Sequence, residues 1–458
     1  MSERGFRAIF KELSVLALPI VISQGAYAFM IFTDRYFMAQ ISAQHISASM
    51  SGGVTSFVTL SLFLGIISYA NAMVAQLSGA GRHSQCSKVV TQGLVLSVAA
   101  FPILLLLTFP VTELFRWVGH AEELVELESA YYKVLIYGGV FSLAKAALSS
   151  FFSGIGRSWV VMVCDVTGVL INIALSYALV FGHWGFPAMG ITGAALGTVI
   201  ATAITLILFL CFYFRPAIAE LYGVAQSWMI DMGILRKFVR YGFPSGLESF
   251  MNVVTFNLFL LMFQNYGTRE GAAMAIVFNW DLMSFISMIG LHIAVMSLAG
   301  RYIGSGESQN LNRVIAAGFS IALTVTAIFA ITFATLAASL VGVFDTGSED
   351  FEQISVLAEA MMLGLACYVI ADGINLVASG VLRGAGDTRW LMFASVSVHW
   401  AMLVAQVFII KVWQLGPMVS WWTFVAMLVC LAGLYLSRLR WGAWRSPDRL
   451  AKLVSEHH

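Results

Sequence analysis

Long apolar stretches separated by short polar breaks set the rhythm of this chain. A helix that crosses a bilayer needs about 20 mostly apolar residues. Twelve such runs can be drawn, at 13–39, 48–76, 88–112, 131–153, 160–182, 189–213, 238–262, 273–300, 314–342, 355–382, 390–412 and 419–437. Between the second and third, Gly79-Ala80-Gly81-Arg82-His83-Ser84 reads as a turn. The basic Met1–Lys11 segment leads into a long first run with no small-residue cleavage site, which predicts an uncleaved anchor. The pattern predicts an all-α polytopic membrane protein with twelve transmembrane helices.

Composition removes the water-soluble alternatives. Of 458 residues, 59% are hydrophobic and 11% charged, against roughly 45–50% and about 25% in a soluble domain. The net charge of +1 leaves no basic stripe for nucleic acid. Cys86, Cys164, Cys211, Cys367 and Cys430 are far apart and match no metal or redox spacing. Charge does orient the helices. With both termini on the cytoplasmic side, nineteen of the twenty-five Lys and Arg residues, from Arg4 to Lys452, fall inside. Arg116, Lys133, Arg269 and Lys411 fall outside, beside acidic loops such as Glu122-Glu123 and Glu349-Asp350, while Arg35 and Lys145 sit within runs.

The two halves of the chain resemble each other. Adding 225 maps Pro19 onto Pro244, Gly65 onto Gly290, Gly79 onto Gly304 and Gly81 onto Gly306. Adding 230 maps Gly154 onto Gly384, Gly156 onto Gly386 and Ser158 onto Thr388, the longer offset fitting a longer loop around Asp345–Glu352. Six helices per repeat is an even number, so both copies enter the bilayer in the same sense, with a substrate path expected between them. The predicted plan is an N-lobe at 1–222 that includes the start of a linker, a C-lobe at 223–440 and a cytoplasmic tail at 441–458. The two six-helix lobes would be pseudo-symmetric about a central cleft.

Acids within the runs carry the chemistry. An ionised carboxylate at a bilayer centre costs roughly 2.5–3.5 kcal/mol on insertion scales, so it marks a pathway or has a partner. The candidates are Asp34, Asp165, Glu248, Asp281 and Asp372. Four lie on polar helical faces: Ser23, Tyr27, Met30 and Asp34 in run 1; Asp165, Gly168, Asn172 and Ser176 in run 5; Glu248, Asn252 and Thr255 in run 7; Asp372, Asn375 and Ser379 in run 10. For the Ser, Thr and Asn residues alone, ordinary hydrogen bonding between helices is the simpler reading. The acids exceed it, with Asp34 and Asp372 first and Glu248 next. Asp165, two turns from the cytoplasmic end, reads more simply as a hydrated or paired acid. Lys145, at the repeat position of Asn375, can snorkel, pair with Asp34 or Asp165, or line the path. Arg35 is placed to snorkel to the outer headgroups. His399 reads as a satisfied interior histidine rather than a proton carrier, and Glu359 as a hydrated acid near the outer mouth.

Phe151-Phe152-Ser153-Gly154-Ile155-Gly156-Arg157 with Asn172, and Gly190-Ile191-Thr192-Gly193-Ala194-Ala195, form one set of motifs. Tyr241-Gly242-Phe243-Pro244, Ala371-Asp372-Gly373 and the stretch from Ala378 to Asp387 form another. Together they resemble the multidrug and toxic compound extrusion (MATE) family of cation-coupled exporters, over nearly the whole chain. The resemblance implies that Asp34 is the helix-1 aspartate that changes protonation or joins a cation site, with Asn172 in the same network and Thr198 as a helix-6 hydroxyl. Where members carry a second Asp or Asn, this chain has Ser176. Asp372 matches the helix-10 aspartate. One branch has a glutamate eight residues after the helix-7 proline; here that position is Asn252, and the acid comes one turn earlier at Glu248. The shift puts that branch's sodium site in doubt and leaves the coupling ion open between H⁺ and Na⁺, with Na⁺ expected, if anywhere, at Asp34 or Asp372.

No G-x-x-x-x-G-K-[ST] occurs, so ATP does not drive the cycle directly. The expectation is a secondary exporter, not an enzyme, without a cofactor beyond the coupling ion. It would work as a monomer in a bacterial inner membrane and move amphipathic, often cationic molecules by alternating access. The expected ion-coupling and substrate residues are Asp34, Asn172, Thr198, Glu248, Asn252, Asp281 and Asp372. Tyr27, Asp165, Ser176, Lys145 and Asn375 rank behind them. The alternative is a flippase of the same superfamily for a lipid-linked precursor, but phosphates pair with Arg and Lys and only Lys145 is an intramembrane base. An intramembrane enzyme would gather its acids, whereas these are spread over five runs. A passive channel would not need the duplication.

Overall fold

The computed structural model describes residues 5–345, 350–446, 448–450 and 453. Arg4, Glu349 and Lys452, three of the charges that orient the chain, lie outside the described residues, as does most of the predicted tail beyond 446. Among the described residues every regular element is helical. The spans are α1 (Phe6–Ile41), α2 (Gln44–Gly79), α3 (His83–Trp117), α4 in two segments (Glu122–Tyr137 and Gly139–Gly154), α5 (Ser158–Phe181) and α6 (Gly190–Tyr213). They continue with α7 (Met232–Tyr266), α8 (Thr268–Gly304), α9 (Ser308–Thr335), α10 (Phe351–Gly384), α11 (Thr388–Val412) and α12 (Pro417–Trp441). Each matches one apolar run.

Two boundaries differ from the sequence expectation for physical reasons. The fourth span starts at Glu122 rather than near 131 and bends by 45° between its segments. Its first segment carries Glu122, Glu123, Glu126 and Glu128, which lower its hydropathy. Acids in a first turn nevertheless favour a helix N-terminus, and Val125, Tyr131 and Tyr132 bury an apolar face. The bend falls at Gly138, where an added Cβ would lie 2.3 Å from Val199 Cγ2. The ninth span stops at Thr335, and Ala337–Gly342 forms a separate short helix. In α7, Asp231 caps the start by accepting from the Gly233 and Ile234 N–H groups at 3.0 and 3.2 Å. A π turn at Phe238–Gly242 then precedes Pro244, whose missing N–H would otherwise break an α-helical ladder.

The duplication is visible in the backbone. Gly79, Gly154, Gly304 and Gly384 each end a helix. Two residues on, Gly81, Gly156, Gly306 and Gly386 all take positive φ, between 71° and 80°. An added Cβ at Gly154 would lie 2.9 Å from the Asn71 carbonyl oxygen, and one at Gly384 would lie 2.8 Å from that of Met296, which is Asn71 plus 225.

The chain divides into two compact units, Ile22–Phe250 and Met1–Val21 with Met251–His458, called here the N-unit and the C-unit. The units therefore exchange helix ends relative to the sequence halves. Within the N-unit the start of α7 packs on α2, with Gly65 against Gly246. Within the C-unit the start of α1 packs on α8, with Gly290 against Val21. Adding 225 carries the second contact's Val21 onto Gly246 and Gly65 onto Gly290, so the exchange is reciprocal. The most extensive helix packing in the C-unit is α8 on α10; in the N-unit α2 packs extensively on α4, and α5 on α6.

Candidate functional site

Each unit holds its own cluster of buried polar groups. In the N-unit, α5 and α6 approach closely because Gly193 and Gly197 lie one turn apart on α6. An added Cβ at Gly193 would lie 2.6 Å from the Leu179 carbonyl oxygen, and one at Gly197 would lie 2.7 Å from Ser176 Oγ. Small residues four apart let helices meet backbone to backbone in a membrane. That approach carries Thr198 of α6 to Asn172 of α5, and Asn172 Nδ2 donates to Thr198 Oγ1 at 3.1 Å.

Thr198 in turn meets Asp34 of α1, with Oγ1 3.2 Å from Asp34 Oδ2 and 3.1 Å from the Ala194 carbonyl oxygen. A hydroxyl has one proton, so it serves one of these acceptors at a time. Asp34 is 7% exposed. Its Oδ1, Asn172 Oδ1 and Ser176 Oγ are buried without a hydrogen bond, although the Ser176 hydroxyl lies beside the Asp34 carboxylate. Buried polar atoms are matched in the great majority of cases. A set of oxygens left open around one carboxylate suits a proton or a small cation.

A second group in the N-unit is ionic. Lys145 Nζ lies 3.1 Å from Asp165 Oδ1, and the Ser23 hydroxyl donates to Asp165 Oδ2. The pair ties α4, α5 and α1 together and decides between the partners open to Lys145 from the sequence. Tyr27, one turn from Ser23, is exposed and lies within electrostatic range of both Lys145 and Asp34.

In the C-unit, Asp281 of α8 and Asp372 of α10 are half-buried and within electrostatic range of each other. Ser284 donates to Asp281 Oδ1 at 3.3 Å. The Tyr368 hydroxyl sits beside Asp281 and closes no hydrogen bond of normal geometry. Asn375 lies next to Asp372, donates Nδ2 to the Leu428 carbonyl oxygen at 3.2 Å and leaves its Oδ1 unmatched. Asn252 donates to Ser395 Oγ at 2.8 Å, joining α7 to α11. His399 Nδ1 sits 2.8 Å from the Ser395 carbonyl oxygen, in keeping with a satisfied interior histidine. An aromatic wall of Tyr368, Trp421 and Phe424 stands beside these groups.

The structure thus gathers Asp34, Asn172, Thr198 and Ser176 in one cluster and Asp281, Asp372 and Asn375 in another. Glu248 is buried on α7 in the N-unit. Arg35 is exposed and Glu359 half-buried. Sequence reasoning missed Tyr368, although it stands one turn before Asp372 on the same face. It also missed Ser395 and the fully buried Glu128, which pairs with His120 at 2.9 Å. Among the described residues no three His, Cys, Asp or Glu side chains gather as a metal site.

Comparison with known proteins gives these clusters a context. The MatE family model matches residues 19–178 and again 244–405. The multidrug resistance protein MdtK of Edwardsiella ictaluri is 25% identical over 442 residues, covering 94% of this chain and 95% of that protein. Among solved structures, an outward-facing multidrug resistance MATE transporter of the MOP superfamily superposes with a TM-score of 0.87 at 18% identity, covering 97% of this chain and all of that one. A MOP-superfamily transporter from Pyrococcus furiosus gives 0.86 at 17% identity, covering 99% of each chain. Both solved structures share the twelve-helix fold. With its family model matched in both halves, this chain belongs to the MatE (MATE) family, whose members are membrane transporters and not enzymes.

Proposed function

We propose that the protein is a secondary exporter of amphipathic, often cationic molecules, driven by H⁺ or Na⁺ moving inward and working by alternating access. The observation that carries this reading is the Asp34 cluster, where a buried carboxylate keeps one oxygen open beside two further unmatched oxygens. A carboxylate so placed binds a cationic substrate when ionised and releases it when it takes a proton or a small cation. The paired acids Asp281 and Asp372 offer the C-unit the same chemistry. The MdtK relative, named for multidrug resistance, supports a broad substrate range. The MatE match favours an exporter over the flippase alternative. The distribution of Lys and Arg supports cytoplasmic termini, and the bacterial MdtK relative supports a bacterial inner membrane.

A membrane potential supplies about 2.3 kcal/mol per charge per 100 mV, enough to bias a two-state cycle. The test is ethidium transport in proteoliposomes under separately imposed H⁺ and Na⁺ gradients. Transport should follow one gradient and fall at least tenfold in Asp34→Asn or Asp372→Asn. Full transport in both variants would refute the coupling role of these acids.

A further inference from the structure

The two repeats carry different chemistry at equivalent positions. In the N-unit, Ser23 of α1 meets Asp165 of α5, and Asp165 holds Lys145 of α4. Adding 230 maps Lys145 onto Asn375 and Asp165 onto Ser395, two neutral residues that bond to other helices and not to each other. Asn252 of α7 hydrogen-bonds Ser395 of α11, and Asn375 of α10 hydrogen-bonds Leu428 of α12. A buried ion pair gives little or no net stability over a neutral replacement, so holding the fold does not explain the charges of the N-unit.

The accessible member of the pair is the cation. Both oxygens of Asp165 are engaged, Oδ1 by Lys145 and Oδ2 by Ser23, and its side chain is 14% exposed. The Lys145 side chain is 28% exposed. An ammonium has three donors, and the bond to Asp165 uses one. On the face of α1 that carries Ser23, the exposed ring of Tyr27 lies within range of Lys145 on one side and Asp34 on the other. Ser23 and Asp34 are eleven residues apart, about 16 Å along the helix. This face offers a cation, an aromatic surface and an anion in sequence, which complements an amphiphile bearing an acid group at one end and a cationic centre away from it.

We propose that Lys145 is a selectivity residue of the N-unit, engaging a carboxylate on transported molecules that also carry a cationic centre. The inference rests on the exporter reading, with the cationic centre at Asp34. Asp165 is then a positioning residue that holds Lys145 aimed while the site is empty.

A matched pair of dyes tests it: rhodamine 110, a free acid, and rhodamine 123, its methyl ester. Affinity of the purified full-length protein for each is measured by fluorescence anisotropy. In Lys145→Met/Asp165→Asn, which removes both charges together, the acid-to-ester affinity ratio should fall by about tenfold or more, the scale of a lost hydrogen bond to a charged group. Lys145→Arg should keep the ratio near that of the wild type. Lys145→Gln, which retains a donor for Asp165, gives a second route should the double variant fail to fold, and it should show the same fall. Equal losses for both dyes, or an unchanged ratio in the neutral variants, would overturn the proposal and leave the pair structural. If the wild type binds the acid with Lys145-dependent affinity but not the ester, the site stands and the cationic-substrate reading fails. Binding of neither dye overturns both.

Discussion

At the scale of single residues, the Asp34 cluster turns on one proton. Thr198 can donate to Asp34 or to the Ala194 carbonyl, while it accepts from Asn172. Thr198→Val keeps the side-chain shape and removes that choice. A hydrogen bond to a charged group is worth about 1.5–3 kcal/mol, so cation-driven transport should fall roughly tenfold or more while the melting temperature in detergent changes little. Unaltered transport would mean that the hydroxyl only satisfies its own helix. A second residue-scale test lies in the C-unit. Asp387 is 2% exposed and accepts from Arg438 Nε at 2.8 Å and Arg449 at 2.7 Å. Removing its charge strands two arginines, one of them 39% exposed, so Asp387→Asn should cost about 1–3 kcal/mol after discounting for solvent. A thermal unfolding scan that shows no shift would count against that clamp. The sequence made Asp34, Asn172 and Thr198 legible because acids and amides stand out in an apolar run. Tyr368 and Ser395 were not legible, since an aromatic ring or a serine in such a run is ordinary until its neighbour across the helix gap is known. The partner of Lys145 stayed open for the same reason: helical spacing gives the face of one helix and not what stands opposite.

At the scale of elements, glycine spacing on α6 decides how the N-unit cluster is assembled. Gly193 sits against backbone atoms of Leu179, and Gly197 against the Ser176 hydroxyl and backbone. Backbone cannot rotate away as a flexible side chain can. Gly193→Ala and Gly197→Ala should therefore each cost about 1–3 kcal/mol through overpacking and should weaken transport by moving Thr198 off Asn172. Gly433→Ala on α12, where an added Cβ meets nothing within 4 Å, is the control. It should be neutral or stabilising by up to about 1 kcal/mol from helix propensity. Equal effects at all three positions would show that close approach is not what these glycines provide. The apolar runs marked nearly every span, because length and hydropathy are local properties. The start of α4 escaped because its glutamates obscure a face carried by Val125, Tyr131 and Tyr132. Its bend escaped because the need for glycine at 138 comes from Val199, on another helix.

At the scale of the whole molecule, the duplication was legible and the exchange of helix ends was not. A constant offset finds equivalent residues such as Gly81 and Gly306, which share a positive φ. It says nothing about Gly65 meeting Gly246 or Gly290 meeting Val21, because those contacts join one repeat to the opening helix of the other. Orientation is the remaining whole-molecule property, and it follows from charge and not from packing. Six spans per repeat place the loop after Gly81 and its equivalent after Gly306 on the same side of the bilayer. The excess of Lys and Arg supports the cytoplasm as that side in the proposed orientation. Ser84 at the start of α3 and Glu123 at the start of α4 are both exposed, with the span of α3 between them. In a variant without the five native cysteines, Glu123→Cys on intact cells should react with a membrane-impermeant maleimide. Ser84→Cys should react only after the membrane is opened. The reverse pattern would invert the molecule and overturn the cytoplasmic placing of its termini. Labelling of both positions on intact cells would contradict the single span, α3, that separates them. The expected single-sided result would fix which face of the molecule meets the cytoplasm.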